Sequence, residues 1–379
     1  MKKLLFFLSL VISFTIMQAQ CPIGNINLTS QAEVDAFPSN CNNLLGNLTI
    51  EGANITNIDA LSNLNSIGGY LRIDNNDMLN DIDGLINLNY IGDELFISRN
   101  NILSNIDGLN NLNYVGQELR ILLNDMLNDI DGLINLNHVG RGISIRYNKM
   151  LNNIDGLINI NYLNGGVLYI EYNDILNNID GLINLYYVEG FVYIANNDIL
   201  NNIDGLINLN SVDSYVFIEN NANLENINGF INLNSVGGFL RIINNDMLSM
   251  CCGVFPVIDI NGISGNITIE NNLPDCNSSQ EILSGCRPIC IGELETRDLK
   301  RKGALSAINT DIPTGDGLTT YTWYNADTNE VVDFFIGNPY YSPSTIGNYY
   351  VIVKHPMDDC FQKLGPRIIN KLNGCCDLD

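Results

Sequence analysis

The chain has 379 residues, ten cysteines, two histidines and a formal charge of −24 at neutral pH. Binding to a phosphate backbone or an anionic membrane requires basic stripes, and an excess of acid on this scale excludes nucleic acid and acidic lipid as partners. With so few histidines, acid/base or metal chemistry would rest on carboxylates alone.

The chain opens on Met1-Lys2-Lys3, an apolar run from Leu4 to Met17, and then Gln18-Ala19-Gln20. This order of charge, apolar run and small exit residue predicts a secretory signal peptide over 1–19, cleaved near Ala19. The apolar run is shorter than the roughly 20 residues a membrane span needs. The mature chain is therefore expected to be secreted or at the cell surface, without a transmembrane segment. Losing Lys2 and Lys3 takes the charge from −24 to −26. In an exported chain, cysteines read as a disulfide framework. Cys21 and Cys41 fall in an N-terminal cap over 20–45, where their pairing is the natural expectation.

Next comes a repeat. The phrase Leu-x-Asn-Ile-Asp-Gly-Leu-Ile-Asn-Leu-Asn returns with its isoleucine at Ile58, Ile82, Ile106, Ile130, Ile154, Ile179, Ile203 and Ile227, in steps of 24, 24, 24, 24, 25, 24 and 24 residues. A period of this length predicts a solenoid, here over 46–289, in which each coil covers the apolar side of the next. Each unit opens with a short strand, as in Leu71-x-Ile73-x-x-Asn76, whose Leu and Ile point inward because side chains alternate across a strand. Leu79, Ile82, Leu85, Leu88 and Ile91 follow at spacings of three, which suits a tight 3₁₀-like arc. The column Asn76, Asn100, Asn124, Asn148, Asn173, Asn197, Asn221 and Asn245 stands where the backbone turns. Its buried amides are expected to bond backbone groups that the turn leaves unpaired.

The full pattern, Leu-x-Ile-x-x-Asn-x-x-Leu-x-x-Ile-x-Gly-Leu-x-x-Leu-x-x-Val-Gly-Gly, resembles a leucine-rich repeat. It is most similar to the receptor L domain type found in insulin and epidermal growth factor receptors and their bacterial relatives. The resemblance spans about 40 to 286 and recurs in every coil. It implies a mainly β protein, a right-handed parallel β-solenoid with an exposed sheet that binds proteins or other ligands. It names no ligand and no catalytic residue. The chain departs from the receptor pattern in having one uninterrupted solenoid and no cysteine-rich module after it.

Asp59, Asp83, Asp107, Asp131, Asp155, Asp180 and Asp204 stack one per coil, and Asn228 ends the series. Unit charges 4 Å apart repel by about 1 kcal/mol in water. The expected compensation is turn capping, each carboxylate accepting backbone N–H bonds worth about 1 kcal/mol. The alternative is a row of calcium sites, suggested by Asp81-Ile-Asp83-Gly84, although the spacing lacks the other ligands of a calcium loop. No other cofactor is implied.

The outward columns of the main sheet vary. The first runs Tyr70, Glu94, Glu118, Gly142, Val167, Phe191, Tyr215, Phe239, and the second Arg72, Phe96, Arg120, Ser144, Tyr169, Tyr193, Phe217, Arg241. Tyr169, Phe191, Tyr193, Tyr215, Phe217 and Phe239 are expected to form one contiguous patch, and large exposed apolar patches mark interaction sites. Aromatic anchors suit protein partners and sugar faces alike. The alternatives are cross-strand pairs that only steady the sheet, or a tail domain folded over it. A separate column, Tyr90, Tyr114, His138, Tyr162 and Tyr187, reads as packing.

After Asn245 the repeat degenerates: Cys251-Cys252-Gly253 replaces the Asp-Gly step, and Cys276 and Cys286 follow a last strand over 266–272. This predicts a disulfide-closed terminal coil that protects the sheet edge. Over 290–379 the rhythm is gone. Trp323 in Tyr-Thr-Trp-Tyr, the run from Gly347 to Val353, and Cys360 resemble the core tryptophan and late-strand tyrosine of immunoglobulin-like sandwiches. Cys290 and Cys360 are the candidate disulfide there. No Gly-x-Ser-x-Gly, His-Glu-x-x-His or phosphate loop is present. The leading expectation is a non-enzymatic recognition or adhesion protein with a protein or carbohydrate ligand at the cell surface. The rival readings are a β-helix polysaccharide-degrading enzyme and a passive structural surface protein.

Overall fold

The computed structural model describes residues 21–286 and, beyond them, short stretches between 305 and 369, chiefly strands. The signal segment and the Cys290 and Cys360 pair fall outside the described residues. Eleven parallel strands form one continuous sheet, from Ile26–Leu28 at the front through Leu71–Asp74 and its counterparts to Ile267–Glu270 at the end. Each strand pairs with the equivalent strand of the next coil and none slips. Leu71 faces Leu95 and Leu95 faces Leu119, and the pairing continues to Val216 against Leu240. The register is fixed because a slip of one residue would turn every inward Leu and Ile out to water.

The seven apolar positions of each coil converge as the spacing predicts. Leu71, Ile73, Leu79, Ile82, Leu85, Leu88 and Ile91 are fully buried, and so are their counterparts through the coil that begins at Val216. Each such side chain stabilises the fold by about 1.5–3 kcal/mol relative to exposure, which explains how the repeats hold without internal crosslinks. The arc is a row of 3₁₀ turns, Asp59–Leu61, Asp83–Leu85 and onward to Cys252–Val254. The glycine of each Asp-Gly-Leu step is required by close approach. A Cβ on Gly84 would lie 1.9 Å from the Ile58 carbonyl oxygen, and on Gly156 2.0 Å from that of Ile130.

Two-residue strands close each coil and pair in parallel, five from Asn43–Leu44 to His138–Val139 and four from Tyr162–Leu163 to Ser235–Val236. The break between these two groups marks the one longer step. Val139 to Leu163 is 24 residues, whereas Ile143 to Leu168 is 25, so the added residue lies between Leu163 and Leu168. Gly165 takes it up at φ +67°, and its N–H donates to the Glu189 carboxylate at 2.6 Å.

The asparagine column is a continuous buried ladder. The Asn148 side-chain amide donates to the carbonyls of Ile121 at 2.9 Å and Arg146 at 3.1 Å, and its oxygen accepts the Asn124 backbone N–H at 3.1 Å. The same bonds recur from Asn76 to Asn245, save that Asn221 donates to the Ile194 carbonyl and the Asn245 side-chain oxygen. The ladder runs further than the column read from the sequence, starting on the Gly52 N–H and ending on Asn272. A second amide row, including Asn87, Asn135 and Asn184, donates across coils to Ser62, Asn110 and Ile158 carbonyls at 2.7–2.8 Å.

Before each ladder asparagine the chain turns through the left-handed region, with φ between 53 and 59° from Asn75 to Asn244. Asparagine suits that conformation. Four successive coils place Arg99, Leu123, Tyr147 and Tyr172 there instead, at a cost of about 1–2 kcal/mol per residue.

Both ends are stapled. Cys21 bonds Cys41 beside the short helix Gln31–Asp35, while Cys251 bonds Cys276 and Cys252 bonds Cys286 around the helices Phe255–Asp259 and Ser279–Gly285. In the tail, Val331–Ile336, Thr320–Asn325, Gly347–Lys354 and Phe361–Ile369 form an antiparallel sheet in that order, and Trp323 is buried. Among the described residues no helix is long and apolar enough to cross a membrane.

Candidate functional site

Because the strands hold one register, the outward residues of the main sheet form straight rows. Arg72, Phe96, Arg120, Ser144, Tyr169, Tyr193, Phe217 and Arg241 are direct neighbours in succession. The row divides into a polar half and an aromatic half.

In the earlier coils, charge is neutralised locally. The Arg120 guanidinium lies 3.2 Å from Glu94 and also pairs with Glu118. Burial and the nearby Glu118 carboxylate hold the Glu94 carboxyl above its ordinary range, against the pull of Arg120. The Arg72 guanidinium covers the Phe96 ring at 4.9 Å and pairs with the fully buried Asp74 carboxylate, which Arg99 approaches at 3.4 Å.

In the later coils the six aromatic residues meet. Tyr169 stacks on Tyr193 at 4.6 Å, Tyr193 meets Phe217 edge-on at 5.9 Å, and Tyr215 stacks on Phe239 at 5.2 Å. Tyr169 with Phe191 and Tyr215 with Phe217 join the two columns at 6.1 and 5.7 Å. Ring pairs at these separations are worth about 0.5–1.5 kcal/mol beyond area burial. The patch therefore steadies the sheet, yet it stays open: Tyr215 and Phe239 remain 38% and 45% exposed and the other four half-buried. At its far edge Phe217, Phe239, Arg241 and Thr268 line a depression of about 420 Å³.

A third outward row, not singled out in the sequence, runs beside the second, two residues further along each strand: Asp74, Ser98, Leu122, Arg146, Glu171, Ala195, Glu219 and Ile243. Its acids are unusually covered, with Glu171 and Glu219 each 8% exposed. Burial raises the Glu219 carboxyl, partly offset by the Arg241 guanidinium 3.0 Å away. Burial, reinforced by a hydrogen bond to Glu171, pushes the Tyr169 phenol up to about 12. Burial likewise raises Tyr193. The Arg146 guanidinium covers the other face of the cluster at 4.7 Å from the Tyr169 ring. The surface thus offers rings with covered carboxylates, Glu171 and Glu219, alongside them. The period-two alternation that places this row outward was legible, but its burial depends on neighbouring side chains.

The aspartate column differs from expectation. The side-chain bond into each 3₁₀ turn comes from the residue two positions earlier: Asn105 to the Asp107 N–H at 3.1 Å, Asp129 to Asp131 at 3.1 Å, Asn153 to Asp155 at 3.0 Å, Asn202 to Asp204 at 2.9 Å. Asp81 and Asn178 do the same for Asp83 and Asp180. The column aspartates serve the turn through their backbone carbonyls, as where Asp83 accepts from Ile86. Partial burial, followed by repulsion from neighbouring aspartates, raises the carboxyls of Asp83, Asp131 and Asp155. Among the described residues no group of three or more His, Cys, Asp or Glu converges as a metal site would. The column is a line of single carboxylates rather than a cluster.

On the short strands that close each coil Tyr90, Tyr114 and His138 stack at 4.9 and 4.4 Å, Tyr162 meets His138 edge-on at 6.2 Å, and the Tyr187 hydroxyl donates to Asp213. Compared with known proteins, the chain matches no family model, no curated protein and no solved structure.

Proposed function

We propose that this is a secreted or surface-displayed recognition protein of the leucine-rich, receptor L domain type. In this reading it holds a protein or glycan partner against the aromatic half of its outer sheet. The single observation that carries the proposal is the ring cluster from Tyr169 to Phe239, contiguous and open on a face whose earlier half is polar. Six outward rings left open to solvent exceed what steadying a sheet already held from within by its amide ladder requires, and tyrosine is enriched among the few residues that carry most of the energy at interfaces. The disulfides at both ends fit an oxidising, extracellular setting. The tail, with buried Trp323 in an antiparallel sheet, serves as an immunoglobulin-like spacer or second contact. The chain works by binding rather than by catalysis.

The test is a screen of glycans and surface proteins with the wild type beside the Tyr193→Ala/Phe217→Ala double variant. A specific partner retained intact by the wild type and weakened at least about tenfold in the variant supports the proposal. Equal retention by both would assign the rings a purely structural role. Release of cleaved product would replace the binding reading with a polysaccharide-degrading one.

A further inference from the structure

We propose a second, separate ligand site on this molecule: a slot for a neutral sugar ring, lying along the turn that follows the main sheet and bounded by Tyr147 and Arg99. The four coils with Arg99, Leu123, Tyr147 and Tyr172 in the left-handed position line a groove of about 500 Å³. The coils beyond them return to asparagine, the residue the conformation favours. Strain retained in a run of adjacent coils, at a concave surface, is where a binding role is to be sought.

Geometry defines the slot. Tyr147 and Tyr172 stack at 4.8 Å with 12° between their planes, and both are about two-fifths exposed. That stack repeats at the coil spacing. Continuing it by one step toward the front of the rod brings it over Leu123, whose side chain is shorter than those on either side. Side chains two coils apart stand about 9.6 Å from one another, twice the strand spacing. A ring seated over Leu123 therefore lies about 4.8 Å from the Tyr147 face and a similar distance from the Arg99 column. The Arg99 guanidinium is drawn toward the preceding coil by Asp74, 3.4 Å away, which leaves the space above Leu123 clear.

The groove's polar groups select the class of ring. Asp77 and Asp125 supply carboxylate acceptors, and Asn101 and Lys149 supply donors that reach Asp77 and Asp125 across one coil at 2.8 and 2.7 Å. A pyranose presents a C–H face to a tyrosine ring and a rim of hydroxyls that both donate and accept. An apolar aromatic side chain would fill the slot but could not hydrogen-bond the polar rim, where each carboxylate keeps a further oxygen able to accept a hydroxyl. An acidic sugar would meet those carboxylates and a chain of formal charge −24. The site differs from the outer-sheet patch in position and in the residues that form it.

The test measures binding of the whole chain to neutral β-glucan, α-glucan, mannan and galactan oligosaccharides by saturation-transfer NMR and calorimetry, with polygalacturonate as the acidic counterpart. Three variants are compared with the wild type, each checked for an unchanged thermal unfolding curve. Tyr147→Ala removes the platform, Leu123→Tyr fills the slot without removing anything, and Tyr193→Ala/Phe217→Ala leaves the groove intact. The expected result is binding of a neutral oligosaccharide, weakened at least about tenfold in each of the first two variants and unchanged in the third. Absence of any neutral binder, a preference for polygalacturonate, or binding that survives Leu123→Tyr would overturn the proposal. Loss only in the outer-sheet variant would also overturn it while leaving the outer-sheet reading in place.

Discussion

Replacing Asn148 by alanine tests the amide ladder in the middle of the rod. The wild-type side chain donates to Ile121 and Arg146 carbonyls and accepts the Asn124 backbone N–H, all within 3.1 Å and out of contact with water. Alanine leaves the buried Asn124 N–H without its partner and removes one bond each from the Ile121 and Arg146 carbonyls. A stranded N–H costs about 1–3 kcal/mol and each lost bond about 1 kcal/mol, so the loss should be about 4 kcal/mol. Asn148→Asp should be at least as damaging, because it sets an acceptor oxygen against two carbonyls. The exposed Asn223 donates a single bond to the Asp198 carbonyl at 2.7 Å, and Asn223→Ala should cost less than about 1 kcal/mol. Urea unfolding followed by circular dichroism gives the global values. Amide exchange at Asn124 gives the local one, which matters because stacked repeats can open in parts. If Asn148→Ala lost no more than the Asn223 control, the ladder would not be holding the coils together.

Further outcomes follow from the same structure. Gly156→Ala places a Cβ 2.0 Å from the Ile130 carbonyl oxygen and should destabilise by about 1–3 kcal/mol through overpacking, read as a lower urea midpoint. Asp131→Asn should stabilise at neutral pH. Burial and neighbouring aspartates raise this carboxyl in the folded chain, so its ionisation opposes folding once pH exceeds the unfolded value near 3.9. The side chain is well exposed and screened, so the gain should be only about 0.5 kcal/mol. The gain should shrink as pH falls through the carboxylate range and vanish at about pH 2.5, where both folded and unfolded chains carry the proton; a gain that persisted there would contradict the cause assigned. Replacing Cys251 and Cys276 by serine opens a crosslink of separation 25 and should cost about 3 kcal/mol. The loss should appear first as faster amide exchange in the last coil, with the front coils unchanged.

What the sequence disclosed and what it hid have a common physical basis. Inward positions such as Leu71 and Ile82 were legible because strand and 3₁₀ periodicities each leave a fixed spacing, and a repeat shows that spacing many times over. The in-register aromatic rows followed from the same regularity, and the one 25-residue step marked where Gly165 absorbs an added residue. The left-handed column was not legible, because Arg99, Leu123, Tyr147 and Tyr172 are residues that do not announce a positive φ. Burial of Asp74 and Glu219 was hidden because it depends on arginines from the same or the next coil. The aspartate column misled for a local reason. Each unit carries two polar residues around one isoleucine, and backbone geometry awards the turn-capping bond to the earlier one, as with Asn153 and Asp155.

The central functional claim is that a partner rests on the ring cluster of the outer sheet. Hydroxyl-radical footprinting of free and partner-bound protein reads side-chain exposure ring by ring. The account predicts that bound partner protects Tyr193, Tyr215, Phe217 and Phe239 while oxidation of Tyr90 and Tyr114, on the closing strands of earlier coils, is unchanged. Protection of Tyr90 and Tyr114, with the outer-sheet rings still oxidised at the free-protein rate, would contradict it.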